Sequence, residues 1–302
     1  MRKPQKMTKT RFDNIIRENV EKDMALRGEK SPFGYVVKKE NDQDGQEKPY
    51  ENYYTEEAFE LFKKEMKNEY EKIHEQFRKG DGTELKKRKN NPPKMASVAS
   101  SSRFCYLALR DGFKELGINN VTVEEKCSIK DMHGNVNANL DAYCQENNTY
   151  IEVKCHEIFD THTDKMSGQY RKHLKSEFHI DVDIEDESEV ALDFKDFGVE
   201  KEKPRFDIKQ LLCHLLGIKN VKGKEPATLM YLFFKPIAEK EQDNDLIDEV
   251  FAELEDEMER IFNSKPIKTF AEENNIKLMA VIENEKVMKS LNGAKKKIIM
   301  YN

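Results

Sequence analysis

Apolar residues recur along the chain at two different spacings, and the changes between them mark out the elements. Phe12, Ile15, Ile16, Val20 and Met24 stand three to four apart or adjacent, which is the stripe of a short helix. Residues 27–50 are rich in Gly, Pro, Asn, Asp and Lys and read as loop. Thr55 then offers an N-cap. Phe59, Phe62, Met66, Tyr70, Ile73 and Phe77 follow at intervals of three and four, predicting one amphipathic helix that Gly80 ends. Its stripe is too short for a stable isolated coiled coil, so it is expected to pack on the main domain.

Residues 81–95 form a basic linker that carries Lys86, Lys87, Arg88 and Lys89 and runs into Asn90, Asn91, Pro92, Pro93 and Lys94. This divides the chain into a charged helical N-terminal extension, 1–95, and a main domain, 96–302. A helix is predicted over 98–116, stopped by Gly117. Strands follow over 121–129, 138–144 and 149–154, separated by turns at His133-Gly134-Asn135 and Glu146-Asn147-Asn148. The second and third read as a β-hairpin. An insertion at about 156–205 begins His- and Lys-rich and turns acidic. Ile208, Leu211, Leu212, Leu215 and Leu216 mark a helix closed by Gly217. The nearly continuous apolar run 227–234 reads as a buried central strand. Leu246, Ile247, Val250, Phe251, Leu254, Met258, Ile261 and Phe262 give another long helix, and 276–282 a last strand. The order helix, three strands, helix, strand, helix, strand predicts an α/β fold with a mixed central sheet flanked by helices.

Composition adds little to this. At 302 residues the chain suffices for one large domain or a domain with an extension; 37% hydrophobic against 36% charged implies solvated helical faces around a modest core. A net charge of -6 weighs weakly against a nucleic-acid partner, but such a partner needs only a local basic surface. No apolar run is long enough for a signal peptide or a membrane span. The five cysteines are odd in number and form no CxxC pair, which suits reduced thiols in a cytoplasmic protein. Cys155, His156, Cys213 and His214 could be imagined around zinc or an iron–sulfur cluster, yet their spacing matches no defensible ligand pattern.

The chemistry concentrates on the hairpin. Side chains alternate along a strand, so Glu152 and Lys154 share one face while Ile151 and Val153 take the other. A short turn brings Asp141 beside Glu152 on the adjacent strand. Facing like charges destabilise a strand pair unless something lies between them. Magnesium, or manganese in its place, suits two carboxylates, with the Val153 carbonyl as a further ligand. Lys154 would then assist the attacking water or hold a phosphate oxygen. On an ordinary solvent-facing strand pair the same three residues would form only a surface salt bridge.

These residues and this order of elements resemble the restriction-endonuclease-like, or PD-(D/E)xK, nuclease superfamily over roughly 140 residues. Asp141 stands at the first acid, Glu152-Val153-Lys154 at the E-x-K, and Gln210 at the glutamine that related members carry on the following helix. Leu140 replaces the usual Pro. The first helix offers only Asp111 and Glu115, late in its span, where many members have a ligating Glu; Glu124 or Glu125 could substitute. The resemblance implies an αβββαβ core, Asp141 and Glu152 as metal ligands, and Lys154 and Gln210 as catalytic partners. It also implies magnesium-dependent hydrolysis of phosphodiester bonds in DNA leaving a 5′-phosphate. The competing expectation is a catalytically silent nucleic-acid-binding or protein-interaction module on the same fold. Lys86, Lys87, Arg88 and Lys89, with Arg171 and Lys172 beside Tyr170, are the candidate phosphate contacts. Ser100, Ser101 and Ser102 read first as helix capping and second as a phosphate site, and His214 as a satisfied, partly buried histidine.

Overall fold

The structure is a computed structural model that describes residues 6–26, 28–36, 49–79, 84–87, 91–110, 120–132, 134, 136–160, 162–182, 188–201, 203–285 and 295–301. α1 (Lys9–Leu26) buries Phe12, Ile15, Ile16 and Val20, the predicted stripe. Part of the expected loop is instead β1 (Phe33–Val36), paired antiparallel with β2 (Pro49–Tyr54). Phe33 and Tyr54 are cross-strand partners with ring centroids 4.6 Å apart, and this aromatic packing outweighs the turn-rich composition around it. The single helix expected after Thr55 is two: α2 (Glu56–Glu69), where Thr55 Oγ1 accepts the Ala58 N–H, and α3 (Glu71–Lys79). The break falls at Tyr70, with φ −138° and ψ 55°. Its ring packs edge-on against Tyr106, a tertiary contact that no helical period can announce.

α4 (Ser101–Arg110) begins where Ser100 Oγ caps the Arg103 N–H. Residues 111–119, with the expected end of this helix, Asp111 and Glu115, lie outside the described residues. β3 (Val121–Ser128), β4 (Asn137–Cys144) and β5 (Thr149–Lys154) follow as expected. The insertion carries β6 (Lys165–Ser167), α5 (Arg171–Glu177) and β7 (Glu189–Ala191), with β6 and β7 paired antiparallel. Then come α6 (Ile208–Lys222), β8 (Ala227–Pro236), α7 (Glu241–Asn263), α8 (Lys265–Glu273), β9 (Ile276–Glu285) and β10 (Lys295–Tyr301).

Six strands form one mixed sheet in the order β10-β9-β8-β5-β4-β3. β3, β4 and β5 are antiparallel neighbours, β5, β8 and β9 run parallel, and β10 returns antiparallel to β9. β8 lies inside the sheet, as its apolar run requires. Gly217 does not stop α6, contrary to the sequence expectation. A Cβ there would come within 2.7 Å of Ala138 Cβ and 2.9 Å of Cys127 Cβ, so glycine lets α6 lie directly on β3 and β4. The extension is part of the same core. Asn19 donates to the Ile237 carbonyl at 2.9 Å, Arg11 pairs with Asp243 at 2.6 Å, and the Phe12 and Phe159 rings lie 5.1 Å apart.

Candidate active site at a break in the sheet

The β4–β5 ladder pairs Cys144 with Thr149, Tyr143 with Tyr150 and Ala142 with Ile151, and there it ends. The next facing positions are Asp141 and Glu152. Asp141 Oδ2 instead accepts the Val153 backbone N–H at 2.7 Å. On the other side, β3 pairs Val123 with Ala142 and Glu125 with Leu140 but omits Glu124, whose φ is 59°. A non-glycine residue in left-handed backbone carries strain that surrounding structure must hold. Three acids, Glu124, Asp141 and Glu152, thus occupy one row across three adjacent strands where both ladders open. All three line a cleft of about 470 Å³, as do Glu157 and Gln210; Glu125 does not. Of the two acids weighed from sequence, Glu124 is the one in the cleft.

Lys154 is held in a triangle. Its Nζ donates to Glu152 Oε1 at 2.8 Å and to Gln210 Oε1 at 2.6 Å, while Gln210 Nε2 donates to the same Glu152 oxygen at 2.8 Å. Flipping the Gln210 amide would turn its NH₂ toward the ammonium, so the polar triangle fixes the orientation. Burial disfavours the charge on Lys154. The attraction of Glu152 and the hydrogen bond to it outweigh burial and push the ammonium above its usual range. Asp141 moves the other way for a carboxylate. Burial, and then the Glu152 charge, raise it well above the usual range, and the Val153 N–H only partly offsets them. Glu152 itself is 5% exposed.

α6 supplies the roof. Asp207 caps it by accepting the Gln210 N–H at 3.1 Å and meets His162 at 3.2 Å. Burial works against its charge, but the His162 hydrogen bond and charge prevail and hold it down at about 2. One turn beyond Gln210, His214 is fully buried between the Tyr231 hydroxyl (3.1 Å) and the Asn139 carbonyl (3.2 Å), and 3.7 Å from Glu152 Oε2. Only a Nε2–H tautomer donates to Asn139 and accepts from Tyr231, and burial lowers the imidazole's pKa, so the ring is neutral. His214 is a satisfied histidine that backs Glu152.

Lys86 and Lys87 are exposed, while Arg88 and Lys89 lie outside the described residues. The ends of their segment are tied together: Glu84 accepts the Met95 N–H through its carbonyl at 3.0 Å and pairs with Lys94 at 3.4 Å. Glu84 and Lys94 both line the cleft. Arg171 donates to the Glu189 carbonyl at 3.3 Å and Lys172 pairs with Asp131 at 3.5 Å; neither lines the cleft. Cys155 is buried, His156 meets Asp13 at 2.8 Å and Cys213 is half-buried. Sequence reasoning did not place Tyr53, Glu84, His156 or Glu157 in the cleft; Lys94, the end of the basic linker expected to contact phosphate, also lines it. Only Glu157 had a local signal, three residues past Lys154, where its carboxylate accepts the Cys155 N–H at 2.7 Å.

Two carboxylates converging on one cleft, Asp141 raised first by burial and then by the Glu152 charge, are a donor set that suits a hard divalent cation keeping several waters. Among the described residues no group of three or more His, Cys, Asp or Glu side chains stands ready to hold a metal ion. Among the same residues no helix is long and apolar enough to cross a membrane. Fold and cleft define an α/β protein with a mixed sheet and an acidic site at the opening of its β3–β4–β5 ladders. No protein-family model, no curated protein and no solved structure matches the chain.

Proposed function

We propose that the chain is a metal-dependent nuclease of the restriction-endonuclease-like kind, hydrolysing phosphodiester bonds in DNA. The observation that carries the reading is the Lys154 ammonium, clamped by Glu152 and Gln210, on the strand whose Val153 N–H Asp141 accepts. Val153 N–H occupies Oδ2 of Asp141, which leaves Oδ1 for a cation. Asp141, Glu152 and the Val153 carbonyl would hold magnesium or manganese, which when bound would polarise the phosphate and acidify water.

The chain's own groups do the rest. Lys154 donates to Glu152 and Gln210, which aims its Nζ to assist the attacking water or hold a non-bridging phosphate oxygen. Gln210 fixes the ammonium's position, and Glu152 compensates its charge. Water adds to phosphorus as the bond to the leaving oxygen breaks. DNA is supported by the segment 85–94, which carries Lys86, Lys87, Arg88, Lys89 and Lys94 and is anchored at the cleft rim by Glu84 and Met95.

The test is cleavage of supercoiled plasmid and linear duplex in magnesium and in EDTA, by the wild type, Asp141→Asn and Glu152→Gln. Magnesium-dependent cleavage lost in both variants is the expected result. Binding without cleavage by the wild type would leave the catalytically silent module instead.

A further inference from the structure

The cleft has a second wall, built by the segment that enters α4. Ser97 and Ser102 are each only 8% exposed, and both line the cleft. Neither hydroxyl has a hydrogen-bond partner among the described residues, yet neither is among the sealed, unpartnered polar atoms. Each therefore opens toward the cleft. The Ser97 backbone is already engaged, its N–H with Lys94 and its carbonyl with Ser100. Ser100 caps α4 by accepting the Arg103 N–H at 3.2 Å. The N–H groups of Ser101 and Ser102, in the first turn, have no helical acceptor and carry the positive end of the helix dipole. Lys94 stands on the same wall, half-exposed and held at 3.4 Å by Glu84.

Two largely buried hydroxyls that find no partner in the chain and face open space beside a helix N-terminus are free to bond an acceptor from outside it, water or a ligand. We propose that this wall is a second phosphate subsite: Ser97 and Ser102 hydroxyls, the first amides of α4 and Lys94 hold the non-bridging oxygens of a phosphoryl group next to the one that is cut. The identity of the ligand as a nucleic-acid strand rests on the nuclease reading; the phosphate chemistry does not. Glu84, Glu124 and Asp141 line the same cleft and repel a lone anion, so the subsite fills in the presence of a divalent cation. The phosphoryl group has two sources, an internal phosphodiester or a strand end, and their shared chemistry is the tetrahedral oxyanion.

The test uses the full chain with Ser97→Ala, Ser102→Ala and both together, each checked for folding by circular dichroism. In magnesium, inorganic phosphate should raise the melting temperature of the wild type above that in chloride of equal ionic strength, and the double variant should lose that rise. In a Lys154→Met background, anisotropy titration of labelled duplexes should show the double change weakening binding about tenfold. Equal losses on phosphate-ended and hydroxyl-ended duplexes assign an internal phosphodiester; loss confined to phosphate-ended duplexes assigns a strand end. A phosphate-induced rise that survives in the double variant overturns the subsite, as does unchanged duplex affinity. If the wild type neither binds nor cuts nucleic acid while the phosphate rise still depends on Ser97 and Ser102, the nuclease reading falls and the subsite stands.

Discussion

Asp141 Oδ2 accepts the backbone N–H of Val153 at 2.7 Å, filling with a side chain the place where the β4–β5 ladder has opened. One carboxylate therefore supports the strand and faces the cleft. Asp141→Ala leaves that N–H without its acceptor and should cost about 1–3 kcal/mol, offset in part by relief of repulsion from Glu152. Asp141→Asn keeps an acceptor and removes the charge, so its urea midpoint should equal or exceed the wild type's in EDTA. Both should lose magnesium binding by calorimetry. Equal stability of the two variants would show that the Val153 bond carries no weight.

Lys154 and Gln210 separate catalysis from metal binding. Lys154→Met should lower kcat about a hundredfold or more while magnesium affinity holds. Gln210→Ala should cost about ten- to a hundredfold, because Lys154 loses one of its two anchors. Parallel metal titration and plasmid nicking distinguish this from a role in holding the carboxylates, which would reduce both together.

Asp207 gives a pH dependence with a defined sign. Its carboxyl is depressed from the ordinary 3.8 to about 2 in the folded chain. A depressed carboxylate stabilises above its unfolded value and loses that contribution as pH falls through its folded one. Asp207→Asn keeps an N-cap and deletes the charge. It should be about 2 kcal/mol less stable above about pH 4, with the gap closing toward pH 2. Urea midpoints of the two proteins across that range test it; a gap independent of pH would exclude the His162 pairing as its source.

Gly217→Ala should destabilise by about 1–3 kcal/mol, since the new methyl meets Ala138 and Cys127 at under 3 Å. Pushing α6 off β4 also moves Gln210 relative to Glu152, so activity should fall further than stability alone predicts. Chemical unfolding and cleavage rates on the same preparation would show this, and full activity would decouple the helix from the site.

Neutralising Lys86, Lys87, Arg88 and Lys89 together should weaken duplex binding on many sequences alike and flatten its salt dependence, because backbone contacts release counterions without reading bases. Salt-dependent anisotropy titration measures both quantities. An unchanged slope would remove the segment from the interface.

Asp141, Glu152, Lys154 and Gln210 were legible because strand alternation and helical period are local rules, and both operate over a few residues. The wall opposite them was legible only at Ser100, Ser101 and Ser102, read from sequence as helix capping first and a phosphate site second. Tyr53, Glu84 and Lys94 reach the cleft only through the packing of the extension on the sheet, which leaves no periodic trace. Gly217 and Tyr70 misled in opposite directions for the same reason. Glycine marks a helix end by default but here marks a close approach, and an unbroken stripe conceals a turn that Tyr106 stabilises. α8 went unpredicted because α7 and α8 are separated by Ser264 alone, and β10 because its Lys-rich start masks a strand.

The site's two halves differ in how far apart they lie along the chain. The Asp141–Val153 bond closes over 12 residues within a hairpin, whereas the Lys154–Gln210 bond spans 56 and waits for the insertion and α6 to dock. Hairpins form on microsecond timescales, and non-local closures come later. These separations predict that the acidic pair forms before the clamp that orients Lys154. On that expectation the Lys154–Gln210 contact, closed over 56 residues, is a natural reporter of when this protein has finished folding.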